Sequence, residues 1–371
     1  MAELEAPVDI VVVPGSSLSR ISENLAAAGQ LKRPRLLRAL ARLRGVSDSI
    51  QAGEYRLEPG ITQRELLDKL VAGDTIQYRV TLVEGWTFRQ ALETLWALPR
   101  LEHRLQNMSD AEIVAQITAP ISARTATQRA TQATTQSSTS TSAAFVMPLT
   151  TQENLPLSSP EGMIFPDTYF YTSGTSDIEL LRRAHARLLS VLMESWNKRD
   201  QTLPLASPYE ALILASIVEK ESGLATERDI IAGVFLRRLQ SNMRLQSDPT
   251  VLYGRNSGNN GGDDVGNHAG NDIGKDVGSN SVNNQIFAGD ITQQDLDTAT
   301  AYNTYRIDGL PPTPIALVSR EALAATMNPE ATEYLYFVAR GDGSHVFSTT
   351  LEQHNAAVAR YQQNLENTTR D

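Results

Sequence analysis

The chain has 371 residues, of which 41% are hydrophobic, a formal net charge of −10 and no cysteine. That length can hold two or three domains. The missing cysteine excludes disulfides, thiolate metal sites and a cysteine nucleophile, while the acidic balance leaves no nucleic-acid footprint and no basic stripe. The five histidines (His103, His185, His268, His345 and His354) are scattered without metal-ligand spacing, so neither a metal nor another cofactor is expected.

No run of eighteen apolar residues occurs. The first residues, Met1 to Pro7, lack the charged and apolar regions of a signal peptide. The expectation is therefore a cytoplasmic protein or one whose N-terminal anchor has been removed.

In chain order, the β-branched run Val8 to Val13 predicts a strand, and Pro14 to Ser17 a turn that caps a helix over Leu18 to Ala28. Pro34 to Leu43 repeats the helical pattern. Ile50 to Leu57 predicts a second strand, and Thr62 to Val71 a capped helix. Strand, helix, helix, strand in so small a unit resembles a LysM-like fold, a glycan-binding module type, although a spacer domain fits the same order. Tyr78 to Val83 predicts a further strand, and Phe88 to Trp96 a helix.

Composition shifts to Thr, Gln, Ser and Ala between Ala119 and Ser159, which predicts a disordered insertion over 119–159. A Gly-, Asn- and Asp-rich stretch predicts a low-complexity loop over 255–284, without calcium-loop spacing. Ile178 to Trp196, Pro208 to Ser222 and Glu227 to Arg238 predict amphipathic helices. Tyr334 to Val338 and His345 to Ser348, joined through Gly341-Asp342-Gly343, predict a hairpin. A helix over Leu351 to Leu365 closes the chain.

Chemistry concentrates at the end of the helix 208–222. At about 100° per residue, Leu214, Ile217, Val218 and Glu221 share a face, and Glu219 lies most of the way round to the other side. Gly223 is the expected stop. A carboxyl on a core-facing stripe must be paired, hydrogen-bonded or protonated, and a protonated carboxyl near neutral pH is the general acid that glycoside cleavage needs. A Glu at a helix end is more often solvated or salt-bridged, with Lys220 or Arg228 as partner. Three other stretches supply polar groups suited to a sugar. Gln246 offers an amide beside Asp248, itself a helix N-cap before Pro249. Tyr302, Asn303 and Tyr305 offer rings and an amide, although they equally suit a turn with core aromatics. Gly309 to Ile315 is a rigid extended stretch.

Pairing Glu221-Ser222 with Ala301-Tyr302-Asn303 is similar to the Glu-Ser and Ala-Tyr-Asn motifs of lysozyme-like lytic transglycosylases. The fuller strings are Glu161–Tyr169 (EGMIFPDTY), Ala215–Ser222 (ASIVEKES), Arg244–Gly254 (RLQSDPTVLYG), Ala301–Tyr305 (AYNTY), Gly309–Pro312 (GLPP) and Tyr336–Ala339 (YFVA). Together they resemble the endolytic murein transglycosylases, the MltG or YceG-like family, over most of the chain outside the two insertions.

The resemblance implies an α+β fold, with a small LysM-like N-terminal domain (1–76) and a mixed α/β catalytic domain (77–118 and 160–371). That domain carries a lysozyme-like helical active-site region. The implied activity is cleavage of the MurNAc–GlcNAc β-1,4 bond in nascent peptidoglycan glycan strands to give 1,6-anhydroMurNAc ends, which terminates glycan elongation. Glu221 is the expected catalytic acid, with Glu219 as its rival. Ser222 is expected to orient Glu221, and Gln246, Asp248, Tyr302, Asn303 and Tyr305 to contact substrate. The resemblance further implies peptidoglycan synthases as partners and a single-pass inner-membrane anchor absent from this chain, with the catalytic part in the periplasm. A muramidase using Asp248 as second carboxylate and a non-catalytic peptidoglycan-binding scaffold are the alternatives.

Overall fold

The computed structural model describes residues 5–119, 159–258, 291–340 and 342–368. Both predicted insertions lie almost wholly outside them. Among the described residues the fold is α+β, with far more helix than strand and three two-stranded antiparallel sheets.

The first unit runs β1 (Val8–Val12), α1 (Leu18–Ala27), α2 (Pro34–Leu43), β2 (Gly53–Leu57), α3 (Gln63–Ala72). Strand β1 pairs with β2 so that Val8 faces Leu57 and Val12 faces Gly53. The two intervening helices form because their starts are chemically marked. Ser17 caps α1 through the Arg20 N–H, and Pro34 opens α2. Thr62 and Glu65 form a reciprocal capping box on α3. Ile10, Val12, Leu25, Leu37, Tyr55, Leu57 and Leu67 close a hydrophobic cluster drawn only from this part of the chain. Helix α2 corrects the expectation of no basic stripe. Lys32, Arg33, Arg35, Arg38, Arg42 and Arg44 follow one another with no acid between them, a local bias hidden by the net charge.

The second unit begins with β3 (Tyr78–Thr81), α4 (Phe88–Trp96) and α5 (Asp110–Thr118). Its sheet is completed by β4 (Thr168–Tyr171), with Tyr78 opposite Tyr171 and Thr81 opposite Thr168. Tyr169 and Tyr171 point into the core while Phe170 points out, so this short aromatic run is an alternating strand. Next come α6 (Asp177–Asn197), α7 (Pro208–Glu221), a 3-10 turn (Ala225–Glu227), α8 (Arg228–Gln240), α9 (Asp248–Gly258), α10 (Gln293–Asp297) and α11 (Arg320–Met327). The hairpin β5 (Tyr336–Ala339) and β6 (His345–Ser348) and the helix α12 (Leu351–Thr368) end the fold. Because α9 runs to Gly258, Arg255 is helical and ion-paired to Asp295, where the sequence suggested the start of a loop.

Helix α7 is the axis of the largest cluster, packed by α6, α8, α9 and α11. Every residue from Ala211 to Val218 is buried. This overturns the two-face reading of the helix: over that stretch it has no solvent face, and the Glu219 side chain, 7% exposed, also lies in the interior. Nor does Gly223 end the helix with a left-handed turn. The cap is extended Ser222. No helix among the described residues is long and apolar enough to cross a membrane.

Candidate active site

The site is built where three segments meet: the end of α7, the turn before α9, and the loop 300–305. Glu221 is the last residue of α7. Part of the residue reaches the surface, but its carboxyl group is desolvated by the surrounding protein. Burial pushes its pKa up to about 7, Asp248 adds to the rise, and Ser247 and Arg238 oppose it. Near neutral pH the group is therefore divided between acid and carboxylate, as a residue that first gives and later takes a proton requires.

Ser247 is the direct partner. Its hydroxyl donates to Glu221 Oε1 at 2.6 Å. The Ser247 backbone is held from behind: its N–H donates to Thr304 Oγ1 at 2.9 Å, and Thr250 Oγ1 donates to Ser247 O at 2.6 Å. Ser247, Thr250 and Thr304 are all buried. Helix α9 begins at Asp248, so Ser247, rather than Asp248, stands ahead of its first turn.

Asp248 is exposed and accepts a 2.7 Å hydrogen bond from Tyr305 Oη. Burial, with Asp248 beside it, pushes the Tyr305 phenol well above its usual range, so it stays a donor. Gln246 is also exposed, and its backbone sits at φ 52°, in the left-handed region that non-glycine residues avoid. Its N–H is held by Thr304 O at 3.2 Å. Strain of that kind persists where the surroundings over-determine a conformation, and such positions cluster at functional sites. Arg238 was missed in the sequence. It is buried, with Nη1 donating to Leu245 O at 2.6 Å and Nε to Leu335 O at 2.7 Å. It thus ties the turn carrying Ser247 to the hairpin and sets a positive charge in reach of Glu221.

Three expected residues stand elsewhere. The Asn303 amide is consumed inside the protein: Nδ2 donates to the carbonyls of Asp295, Leu296 and Thr298, and Oδ1 accepts from the Tyr305 N–H. At 1% exposure it shapes the loop and leaves no group for a ligand. The Tyr302 ring packs edge-on against Tyr253 at 4.9 Å and its hydroxyl bonds Thr313. This close approach requires Gly254, where a Cβ would lie 2.9 Å from the Tyr302 Cβ. Ser222 accepts from Arg228 Nε at 3.0 Å, and the hydroxyl that bonds the Glu221 carboxyl is that of Ser247.

The partners separate the two acids. Glu219 Oε2 accepts from both the N–H and the hydroxyl of Ser319, the N-cap of α11, and its Oε1 faces Arg228 at 4.0 Å. It pins one helix start to another helix end. A further buried carboxyl, Glu161, is also pushed up to about 7 by burial. It accepts from the N–H groups of Phe88 and Gly162 and from Tyr253 Oη, at the start of α4.

The profile of the YceG-like family matches residues 10–360. An endolytic murein transglycosylase of Bacillus subtilis (strain 168) is 27% identical over 362 residues, covering 95% of this chain and 84% of that protein. An endolytic murein transglycosylase of Streptococcus pneumoniae (strain R6) is 26% identical over 95% of this chain, which spans only 58% of the pneumococcal protein. A solved YceG-like protein from Listeria monocytogenes is 24% identical, covers 95% of this chain and 100% of its own, and superimposes with a TM-score of 0.48.

Proposed function

The chain belongs to the YceG-like family, and from that premise we propose that it is an endolytic lytic transglycosylase of peptidoglycan, with Glu221 as its single acid and base. The observation that carries the reading is the desolvated Glu221 carboxyl bonded to Ser247 at the meeting point of three segments. The names of the bacillary and pneumococcal relatives support the substrate class.

Glu221 protonates the oxygen of the MurNAc–GlcNAc β-1,4 bond as the C1–O bond breaks. The carboxylate left behind removes the proton of the MurNAc C6 hydroxyl, whose oxygen closes on C1 of the same sugar. The ring carries a 1,6-anhydro bridge and the enzyme regains its proton. Because the nucleophile is tethered, proximity replaces an activated water, and no second carboxylate is needed. Ser247 steadies the carboxylate between the two transfers. Gln246, Asp248 and Tyr305 are the groups placed to meet the sugar.

The wider reading assigns residues 1–76 to a LysM-like glycan-binding domain, supported by the βααβ order and its separate hydrophobic cluster. It assigns 77–118 and 160–371 to the catalytic domain, with a helical active-site region of the lysozyme-like kind. The protein acts outside the cytoplasm, held at the inner membrane beside peptidoglycan synthases, and ends nascent strands. A hydrolytic muramidase is a second reading because Asp248, a second carboxylate, stands within electrostatic reach of Glu221. Mass spectrometry of products from uncrosslinked glycan strands tests the proposal. Anhydro-ended fragments from the wild type and none from Glu221→Gln are expected; full cleavage by that variant would remove Glu221 from the chemistry.

A further inference from the structure

We propose that the outer face of α2 docks on an anionic phospholipid surface. Two properties of the same short segment lead there. The first is charge. Six of the chain's 33 cations fall between Lys32 and Arg44, in a protein of net charge −10. Arg38 is paired with Glu23 and Arg44 with Asp68, while Lys32, Arg33, Arg35 and Arg42 are exposed and make no ion pair among the described residues. A cluster of unneutralised cations on an acidic protein is complementary to an anionic surface and poorly explained as a folding device.

The second property is the placement of leucine. The inner face of α2 is satisfied by Leu37 and Ala41, both fully buried. Leu36 and Leu43 face the opposite way, 52% and 86% exposed. Seven residues apart, they lie on one side of the helix about 10 Å from each other, with exposed Ala39 between them and Arg35 and Arg42 beside them. Two leucines flanked by arginines have nothing to gain from a dissolved polyanion such as a nucleic acid. At a bilayer the leucines enter the headgroup–acyl boundary while the guanidinium groups meet lipid phosphates. This contact would hold the N-terminal unit flat against a membrane, independently of any spanning segment and of the transglycosylase reading, since it uses no residue of the Glu221 site.

Co-sedimentation of the full chain with large vesicles tests it, comparing phosphatidylglycerol–phosphatidylcholine vesicles with pure phosphatidylcholine. Each cation near an anionic surface strengthens binding roughly fivefold, so Arg35→Gln with Arg42→Gln should weaken partition roughly twenty-five- to thirtyfold. Salt should act in the same direction. Leu36→Ser with Leu43→Ser should weaken binding to the charged vesicles at least severalfold, while leaving binding to soluble dextran sulfate unchanged. Circular dichroism confirms that these surface variants fold. No partition of the wild type onto charged vesicles, or equal partition onto neutral ones, overturns the proposal. If the arginine pair has no effect, the charge argument fails. If the leucine pair has no effect, the surface is one for soluble polyanions and the lipid assignment is wrong.

Discussion

Replacing Glu221 by Gln should make the protein more stable above neutral pH as well as inactive. The carboxyl is raised from 4.5 to about 7 in the folded protein, chiefly by burial. Below pH 4.5 both states hold the proton and the group contributes nothing. Between about 4.5 and 7 the unfolded chain releases its proton before the folded one, so stability falls as pH rises. Above about 7 the loss is complete. At about 1.4 kcal/mol per pH unit, that loss reaches up to about 3 kcal/mol. Gln has no proton to lose, so the variant escapes it. Urea unfolding of both proteins at several pH values between 4 and 8.5 measures the difference directly, and Glu161, which titrates in the same range, cancels because both proteins keep it. The stability of the variant relative to wild type should climb with pH and level off above 7. A difference that stays flat would mean that Glu221 is not desolvated, and the assignment of the acid would lose its physical basis.

Other substitutions follow the same reasoning. Ser247→Ala removes the donor that favours the Glu221 carboxylate, so the alkaline limb of the kcat/KM profile should move up by about one pH unit, with a lower maximum; an unmoved limb would mean that the 2.6 Å contact is catalytically idle. Glu219→Gln should retain substantial activity while costing about 1–3 kcal/mol of stability, read from urea midpoints, because it weakens the hold on Ser319 at the start of α11. Loss of activity with unchanged stability would make Glu219 the acid. Asn303→Ala should lower the melting temperature clearly, because three carbonyls lose their common donor, and its effect on KM at a permissive temperature should be small.

Much of the architecture was legible from local chemistry. Pro34 at the start and the apolar spacing after it marked α2 over Pro34–Leu43, and the glycine-flanked turn marked β5 and β6. Most of what the sequence did not display was nonlocal. Strand β4 is defined by a partner far back in the chain, with Thr81 opposite Thr168, and its sequence is too short to display alternation unaided. The capping box of Ser109 and Glu112 on α5 was a usable local signal that went unread. At the site, helical spacing singled out Glu221, but its companion argument, that Glu219 lies on an outer face, assumed a helix with one exposed side. Helix α7 is enclosed over Ala211–Val218, and the acids are distinguished by their partners, Ser247 for Glu221 and Ser319 with Arg228 for Glu219. Ser247 itself was hidden as one small residue within a string whose polar neighbours, Gln246 and Asp248, drew attention. Asn303 shows the converse: a motif residue whose amide is spent entirely on its own loop.

Whether water takes part in bond cleavage tests the central claim most directly. With uncrosslinked glycan strands digested in water labelled with heavy oxygen, tethered attack by the MurNAc C6 hydroxyl predicts product ends free of label and lighter by one water than hydrolytic ends. Label at the newly formed anomeric carbon would show that water is the nucleophile, and Asp248 would then have to be considered as the second carboxylate of a hydrolase.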